Sequence, residues 1–134
     1  MVRQLLVTCA IIERDGKYLL TQRQKDARNG LRWEFPGGQL EQGESPRDCL
    51  VREIEEELGV AIEADDVFDV SSCAYEKLGL HVVLLAFRCR ILEGVIVKRC
   101  IKDYAWVAPD KMDTYDITEA DLPFVEKLLA EHRD

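Results

Sequence analysis

The chain has 134 residues, of which 47% are hydrophobic and 33% charged, and this balance predicts a single globular domain over residues 1–134. The formal net charge of −8 disfavours binding to a nucleic-acid polymer, and a phosphorylated small substrate would need cations between itself and the protein. We find no apolar run that could span a bilayer and no secretory signal, so we expect a cytoplasmic protein without a membrane partner. The five cysteines are widely spaced, which predicts buried free thiols.

The first part of the chain predicts strands and tight turns. Residues 5–12 are predicted to form a strand, Asp15-Gly16 a hairpin turn, and residues 17–21 the returning strand. Residues 24–32 are polar and typical of turns. Residues 33–35 alternate as a short strand does, Pro36-Gly37-Gly38 is expected to break that strand, and residues 40–44 continue as an irregular loop.

The second part predicts two helices and three strands. Ser45 and Pro46 are typical of a helix start and Gly59 of a helix end, so residues 45–58 are predicted to be helical. Strands are expected at residues 67–75, 80–90 and 104–107, followed by a turn at residues 109–112. Thr118 is expected to cap a last helix over residues 119–131, whose apolar face is Leu122, Val125, Leu128 and Leu129. This order predicts a mixed sheet covered by helices.

Three glutamates share one face of the first predicted helix. Glu53, Glu56 and Glu57 are three and four residues apart, and like charges at that spacing destabilise a helix. A divalent cation held by the carboxylates would offset this repulsion, because Mg²⁺ prefers oxygen ligands. The alternative is a solvated face compensated by Arg47 and Arg52.

The spacing of residues 38–60 decides between these two interpretations. The run GQLEQGESPRDCLVREIEEELGV matches the Nudix signature GX5EX7REUXEEXGU, in which U is a bulky aliphatic residue. The seven fixed positions are Gly38, Glu44, Arg52, Glu53, Glu56, Glu57 and Gly59, and the aliphatic ones are Ile54 and Val60. Residues 33–38 and 120–123 also resemble segments of MutT-type Nudix enzymes. The chain is therefore similar to this family over nearly its whole length.

The resemblance implies a fold, a cofactor and a set of site residues. The fold is the Nudix α/β/α sandwich, an α/β architecture with a mixed β-sheet between helices, and the cofactor is Mg²⁺, with Mn²⁺ as a substitute. The implied metal ligands are Glu53, Glu56, Glu57 and the carbonyl of Gly37. The implied catalytic residues are Glu53 as the base, Arg52 as the residue that orients it, and Glu44 as a support. The implied substrate-binding residues are Arg23 at a phosphate, Phe35, Leu80 and Asp121 near the nucleobase, and Gly38, where the backbone can approach a ligand.

One position departs from the MutT pattern. These enzymes usually carry a further metal-binding glutamate about six residues before the tryptophan of the late strand, and counting back from Trp106 reaches Cys100. Asp103 is the candidate substitute. The number of metal ions and the complete ligand set stay open.

The resemblance implies hydrolysis of a small-molecule nucleotide by a monomer or a homodimer. The favoured activity is that of a nucleoside triphosphate pyrophosphohydrolase acting on an oxidised purine triphosphate or a cytidine triphosphate, with the base between the sheet and the last helix. A nucleoside diphosphate sugar or a dinucleotide is the alternative substrate. A non-catalytic nucleotide-binding domain is disfavoured because no glutamate of the signature is missing.

Overall fold

Seven strands form one mixed sheet in the computed structural model, which describes residues 2–132. The strands are β1 (Arg3–Arg14), β2 (Lys17–Gln22), β3 (Trp33–Glu34), β4 (Gly37–Gln39), β5 (Ala61–Tyr75), β6 (Leu80–Glu93) and β7 (Asp103–Val107). Their order is β3-β2-β1-β6-β5, with β4 paired to β1 and β7 paired to β2. Strands β1 and β6 are parallel and the other pairs are antiparallel. The predicted mixed sheet is confirmed.

Two helices cover the two faces of this sheet. Helix α1 spans Pro46–Leu58, helix α2 spans Leu122–Glu131, and 3₁₀ segments occur at Glu76–Leu78, Pro109–Thr114 and Glu119–Asp121. Successive side chains of a strand point to opposite faces. In β1, Ala10 and Ile12 therefore pack in the layer that contains α1, whereas Cys9 and Ile11 pack in the layer that contains α2. The arrangement is the α/β/α sandwich that the resemblance implies.

Local signals place α1 where the sequence predicts it. The Ser45 Oγ accepts a hydrogen bond of 3.1 Å from the Asp48 backbone N–H, and Pro46 occupies the first turn. Gly59 adopts a φ of 71° and donates its N–H to the Glu55 carbonyl at 3.0 Å. A left-handed residue of this kind commonly ends a helix. The caps fix the position of α1 along the chain.

Two strand predictions need correction. The Pro36-Gly37-Gly38 run was expected to end strand structure, yet Gly37 and Gly38 begin β4 and pair with Cys9 and Thr8 of β1. Strand β5 begins at Ala61, well before the predicted residue 67, and register shifts occur between Ala64 and Asp69. These shifts interrupt the alternation of apolar and polar residues on which a strand prediction depends.

The last helix also differs from its prediction. Thr118 makes no side-chain capping hydrogen bond, and a 3₁₀ turn precedes the first residue of α2. Leu122 was expected on the buried face but is 44% exposed, whereas Phe124 is fully buried. At about 100° per residue, Phe124, Val125 and Leu128 share the arc of α2 that faces the sheet, and Leu122 lies beyond the edge of that arc.

All five cysteines are free thiols. Cys9, Cys49 and Cys89 are buried as predicted, but Cys73 is half-buried and Cys100 is exposed. Within residues 2–132, we find no helix long and apolar enough to cross a membrane.

Candidate active site

Arg52 of α1 organises the acidic end of the site. Its guanidinium donates to both carboxylate oxygens of Glu44, at 2.7 and 3.0 Å, and to Glu53 Oε1 at 2.9 Å and Glu56 Oε2 at 3.2 Å. The hydrogen bonds from Arg52 lower the pKa of Glu44 to about 2. Paired donation of this kind restricts both orientation and distance. Arg52 therefore ties the loop that precedes α1 to the helix and holds one oxygen of Glu53.

The three glutamates of the acidic face occupy different environments. Glu56 has a side chain that is 56% exposed and ion-paired to Arg52. Glu57 is largely buried, and its Oε2 has no hydrogen-bond partner among the described residues. Burial, followed by the charges of Glu53 and Glu34, raises the pKa of Glu57 to about 8. Burial also raises the pKa of Glu53, although its hydrogen bond to Arg52 acts in the opposite direction.

Two glycines let a strand lie directly against these carboxylates. A Cβ atom at Gly38 would lie 2.2 Å from Glu53 Oε2, and a Cβ atom at Gly37 would lie 1.9 Å from the backbone oxygen of Thr8. Both distances are far below van der Waals contact. Strand β4 can lie against β1 only because Gly37 carries no side chain, and a side chain at position 38 would displace the carboxylate of Glu53.

The oxygen atoms of the Glu53 and Glu57 carboxylates are of the kind that a magnesium ion binds. Mg²⁺ usually keeps several waters and takes only one or two protein carboxylates, with substrate phosphates completing its shell. No group of three Asp, Glu, His or Cys side chains between residues 2 and 132 is arranged to hold an ion. The unpartnered buried oxygen of Glu57, beside Glu53, is nevertheless the kind of atom that a cation would satisfy.

The residues near the missing family glutamate lie outside this pair of carboxylates. Cys100 is exposed, and its Sγ lies 4.0 Å from the backbone oxygen of Glu56. Asp103 is exposed and pairs with Lys98 at 3.8 Å. Neither side chain joins Glu53 and Glu57.

A cavity of 320 Å³ opens beside the two glycines. It lies between β1 and β6 on one side and the 3₁₀ turn before α2 on the other. Four predicted substrate-binding residues line it, together with Gly37; the four are Arg23, Phe35, Gly38 and Asp121. Leu80 does not line the cavity. It occupies the first position of β6, and Val82 and Leu84, further along the same face, form the apolar wall instead.

The charged groups of the cavity include two residues that were not predicted. Arg23 Nη1 donates to Glu34 Oε2 at 3.0 Å, so its charge is partly neutralised inside the protein. Arg28 also lines the cavity and forms no ion pair with another described residue. The signal for Glu34 was a lone charge between Trp33 and Phe35 in a predicted strand. The sequence did not indicate a role for Arg28, because it lies in a polar loop among other charged residues.

Asp121 is buried at the inner end of the cavity. Its Oδ2 accepts a hydrogen bond of 2.8 Å from the Phe35 backbone N–H. Burial raises the pKa of Asp121 well above its ordinary value, and the charge of Glu34 raises it further. A protonated carboxyl group presents both a donor and an acceptor.

A helix rich in carboxylates, placed beside a small cavity on a sheet covered on both faces, is the arrangement expected of a Nudix hydrolase. The NUDIX domain family matches residues 2–128. The chain therefore belongs to the NUDIX family, whose hydrolases generally use divalent metal ions such as Mg²⁺.

Individual relatives are similar over nearly their whole lengths. The CTP pyrophosphohydrolase of Escherichia coli (strain K12) is 35% identical over 129 residues, covering 96% of this chain and 94% of the relative. The nucleoside triphosphatase NudI of Escherichia coli O139:H28 is 31% identical over 132 residues, covering 89% of this chain and 92% of the relative. The crystal structure of a MutT NUDIX hydrolase from Burkholderia pseudomallei has a TM-score of 0.81 at 28% identity, covering 92% and 97% of the two chains.

Proposed function

We propose that the protein is a MutT-like nucleoside triphosphate pyrophosphohydrolase, which converts a triphosphate and water into a monophosphate and pyrophosphate. The observation that carries the proposal is the position of Glu53, which contacts Gly38 in the wall of the cavity and lies beside the unpartnered oxygen of Glu57. The names of the relatives support a triphosphate substrate. Cytidine triphosphate and oxidised purine triphosphates are the proposed substrates.

Mg²⁺, or Mn²⁺ in its place, is the proposed cofactor. Glu53 and Glu57 would hold it with the carbonyl of Gly37. Glu56 would join them only on leaving its ion pair with Arg52, since the three carboxylates do not converge among residues 2–132. When bound, the ion neutralises charge on the phosphate oxygens and lowers the pKa of a coordinated water. It would also satisfy the buried oxygen of Glu57.

The chain's own residues supply proton transfer and positioning. A water oxygen bonds to one of the two phosphorus atoms of the anhydride that joins the nucleoside monophosphate to the pyrophosphate. The bond from that phosphorus to the bridging oxygen breaks, the bridging oxygen leaves with the other product, and Glu53 takes the proton of the water. Arg52 fixes the orientation of Glu53 through its hydrogen bond, and Glu44 fixes Arg52. Arg28 binds substrate phosphate, assisted by Arg23, because a cation without an internal partner is available to an anionic ligand.

The inner end of the cavity is the proposed base site. Phe35 and Asp121 lie there with Val82 and Leu84, which combine an apolar wall with one polar group. A volume of 320 Å³ fits one base more closely than the two halves of a dinucleotide. This favours a mononucleotide over a dinucleotide, and the names of the relatives favour a triphosphate over a nucleoside diphosphate sugar.

Two further expectations complete the proposal. The whole chain, residues 1–134, acts as one hydrolase domain. It acts in the cytoplasm, where its five free thiols would stay reduced.

Assaying a panel of nucleotides tests the proposal, with pyrophosphate and phosphate measured separately. The panel contains cytidine, purine and oxidised purine triphosphates, nucleoside diphosphate sugars and dinucleotides. We expect pyrophosphate from a triphosphate, loss of activity with a chelator, and its return with Mg²⁺. Phosphate as the sole inorganic product, or turnover of the sugars and dinucleotides alone, would contradict the proposal.

The variant Glu53→Gln tests the assignment of the base. Its rate should fall by about 10²- to 10⁴-fold, the range for a positioned general base, while its circular dichroism spectrum stays unchanged. Glu55→Gln is the matched control because Glu55 lies on the same helix and pairs with Arg99 outside the cavity. Retention of activity within a few-fold in Glu53→Gln would place the base elsewhere.

A further inference from the structure

A second cavity lies between the 3₁₀ segment Pro109–Thr114 and helix α2, and we call it the α2 groove. Its volume is 500 Å³, larger than the 320 Å³ of the catalytic cavity. Met112, Ile117, Val125 and Leu129 contribute apolar side chains to it, and Leu122 on its edge is 44% exposed. Met112, Ile117 and Val125 form the buried floor of the groove, whereas Leu122 and part of Leu129 are exposed. Exposed apolar surface beside a groove is a common feature of interaction sites.

Acidic side chains lie along both edges of the groove. Asp110, Asp113 and Asp116 lie on one edge, and Glu126 of α2 lies on the other. Asp110 and Asp113 are both in the 3₁₀ segment, where side chains three residues apart are eclipsed. All four carboxylates are exposed.

These charges have little compensation within the protein. Asp116 pairs with Arg32 at 3.3 Å, and the other three carboxylates form no ion pair with a described residue. No lysine or arginine among residues 2–132 lines the groove. The groove therefore combines an apolar interior with a negative edge on each side, and its complement is an apolar surface flanked by cations.

We propose that the α2 groove is a docking site for a basic amphipathic segment of a partner protein. The apolar residues of that segment would contact the exposed parts of Leu122 and Leu129 above the buried floor, and its lysines or arginines would face the acidic edges. A peptide fits better than a single organic amine because several carboxylates are spread along both edges. Residues 122–129 of α2 extend for about 10 Å, a length that matches two turns of a helix.

The groove is distinct from the proposed catalytic machinery. None of its lining residues is among those that line the catalytic cavity or belong to the glutamate helix. Variants of the groove can therefore be tested for binding while pyrophosphohydrolase activity serves as a check on the fold.

The experiment uses the full chain and a fluorescein-labelled peptide of 14 residues, with leucines at helical spacing of three and four and lysines elsewhere. A scrambled peptide of the same composition controls for charge alone. We expect the amphipathic peptide to bind about tenfold more tightly than the scrambled one in fluorescence anisotropy, because only the former can place its leucines together. Amide shifts in NMR spectra should concentrate in residues 109–117 and 122–129.

Groove variants then test the site itself. Asp110→Asn/Asp113→Asn should weaken binding about threefold or more, and Leu122→Asn by a similar factor, with catalytic activity unchanged. Asp66→Asn/Glu93→Gln is the control, since it removes the same charge from exposed positions outside the groove. Equal binding of the two peptides, equal weakening in the control variant, or no binding of the amphipathic peptide would each overturn the proposal.

Discussion

At the scale of single residues, we expect Asp121 to influence which nucleobase the cavity accepts, because it is the buried polar side chain beside Phe35. An ionised carboxylate only accepts hydrogen bonds, whereas an amide or a neutral carboxyl also donates. At a pH at which Asp121 is ionised, we expect Asp121→Asn to change the ratio of kcat/KM between cytosine and purine triphosphates by about tenfold, which corresponds to roughly 1.4 kcal/mol. Steady-state kinetics with both substrates on both proteins measures this ratio.

The raised pKa of Asp121 adds a pH dependence to that prediction. Below this pKa the carboxyl is neutral and resembles the amide of asparagine, so the base preferences of wild type and Asp121→Asn should converge as the pH falls. Asp110→Asn, an exposed change outside the cavity, should leave the ratio unaltered. If Asp121→Asn scales both rates equally at every pH, Asp121 serves only to bind the Phe35 N–H.

At the scale of elements, the contact between β4 and α1 positions Glu53, the proposed base. In Gly38→Ala the new methyl group would occupy the place of the Glu53 carboxylate, only 2.2 Å away. We expect the rate to fall by about 10²-fold or more, since a displacement of about 1 Å can have an effect of that size. Gly43→Asn in the neighbouring loop is the control.

Gly43→Asn is a matched control because both the backbone conformation and the open space at position 43 accept a side chain. Gly43 has a φ of +82° and no atom within 4 Å of an added Cβ, and asparagine tolerates this region of φ. Comparable losses of activity in Gly38→Ala and Gly43→Asn would mean that the loop, rather than the contact with Glu53, limits the rate.

The N-terminal cap of α1 stabilises this helix. Ser45→Ala removes the hydrogen bond to the Asp48 N–H and should lower the free energy of unfolding by about 1 kcal/mol. Urea denaturation measures the change. Ser72→Ala, at an exposed position of β5, should change it much less, and an equal effect of the two variants would contradict a capping role.

At the scale of the whole molecule, the charge of the site connects stability to pH and metal. The pKa of Glu57 is about 8 in the folded protein against an ordinary value of 4.5. The stability that this difference provides is complete below about pH 4.5 and is lost as the pH rises through about 8. In the presence of a chelator, the free energy of unfolding should therefore fall with rising pH across this range.

Magnesium should reverse that loss because it binds the ionised carboxylates, and the rise in Tm that it causes should be larger at pH 8 than at pH 6. Glu57→Gln cannot ionise and should reduce the fall with pH in the chelated protein, whereas Glu55→Gln should retain it. A chelated wild-type protein whose stability is independent of pH between 5 and 8 would argue against the buried, unpartnered state of Glu57.

The sequence alone was sufficient wherever the determining interactions are local. The helix caps at Ser45 and Gly59 act over three or four residues, and helical periodicity places Glu53, Glu56 and Glu57 on one face. The signature also predicted that the chain needs a glycine at position 38. Short-range geometry therefore determined the acidic helix, and the resemblance to the Nudix signature implied the family and the fold class.

Tertiary structure decided how these groups are used. Parallel pairing of β1 with β6 places Val82 and Leu84, rather than Leu80, in the cavity wall. Packing leaves Glu57 with an unpartnered oxygen, pairs Arg23 with Glu34, and buries Asp121 against the Phe35 N–H. Register between distant strands and the desolvation of a carboxylate both depend on residues far apart in the chain, and local patterns carry no information about either.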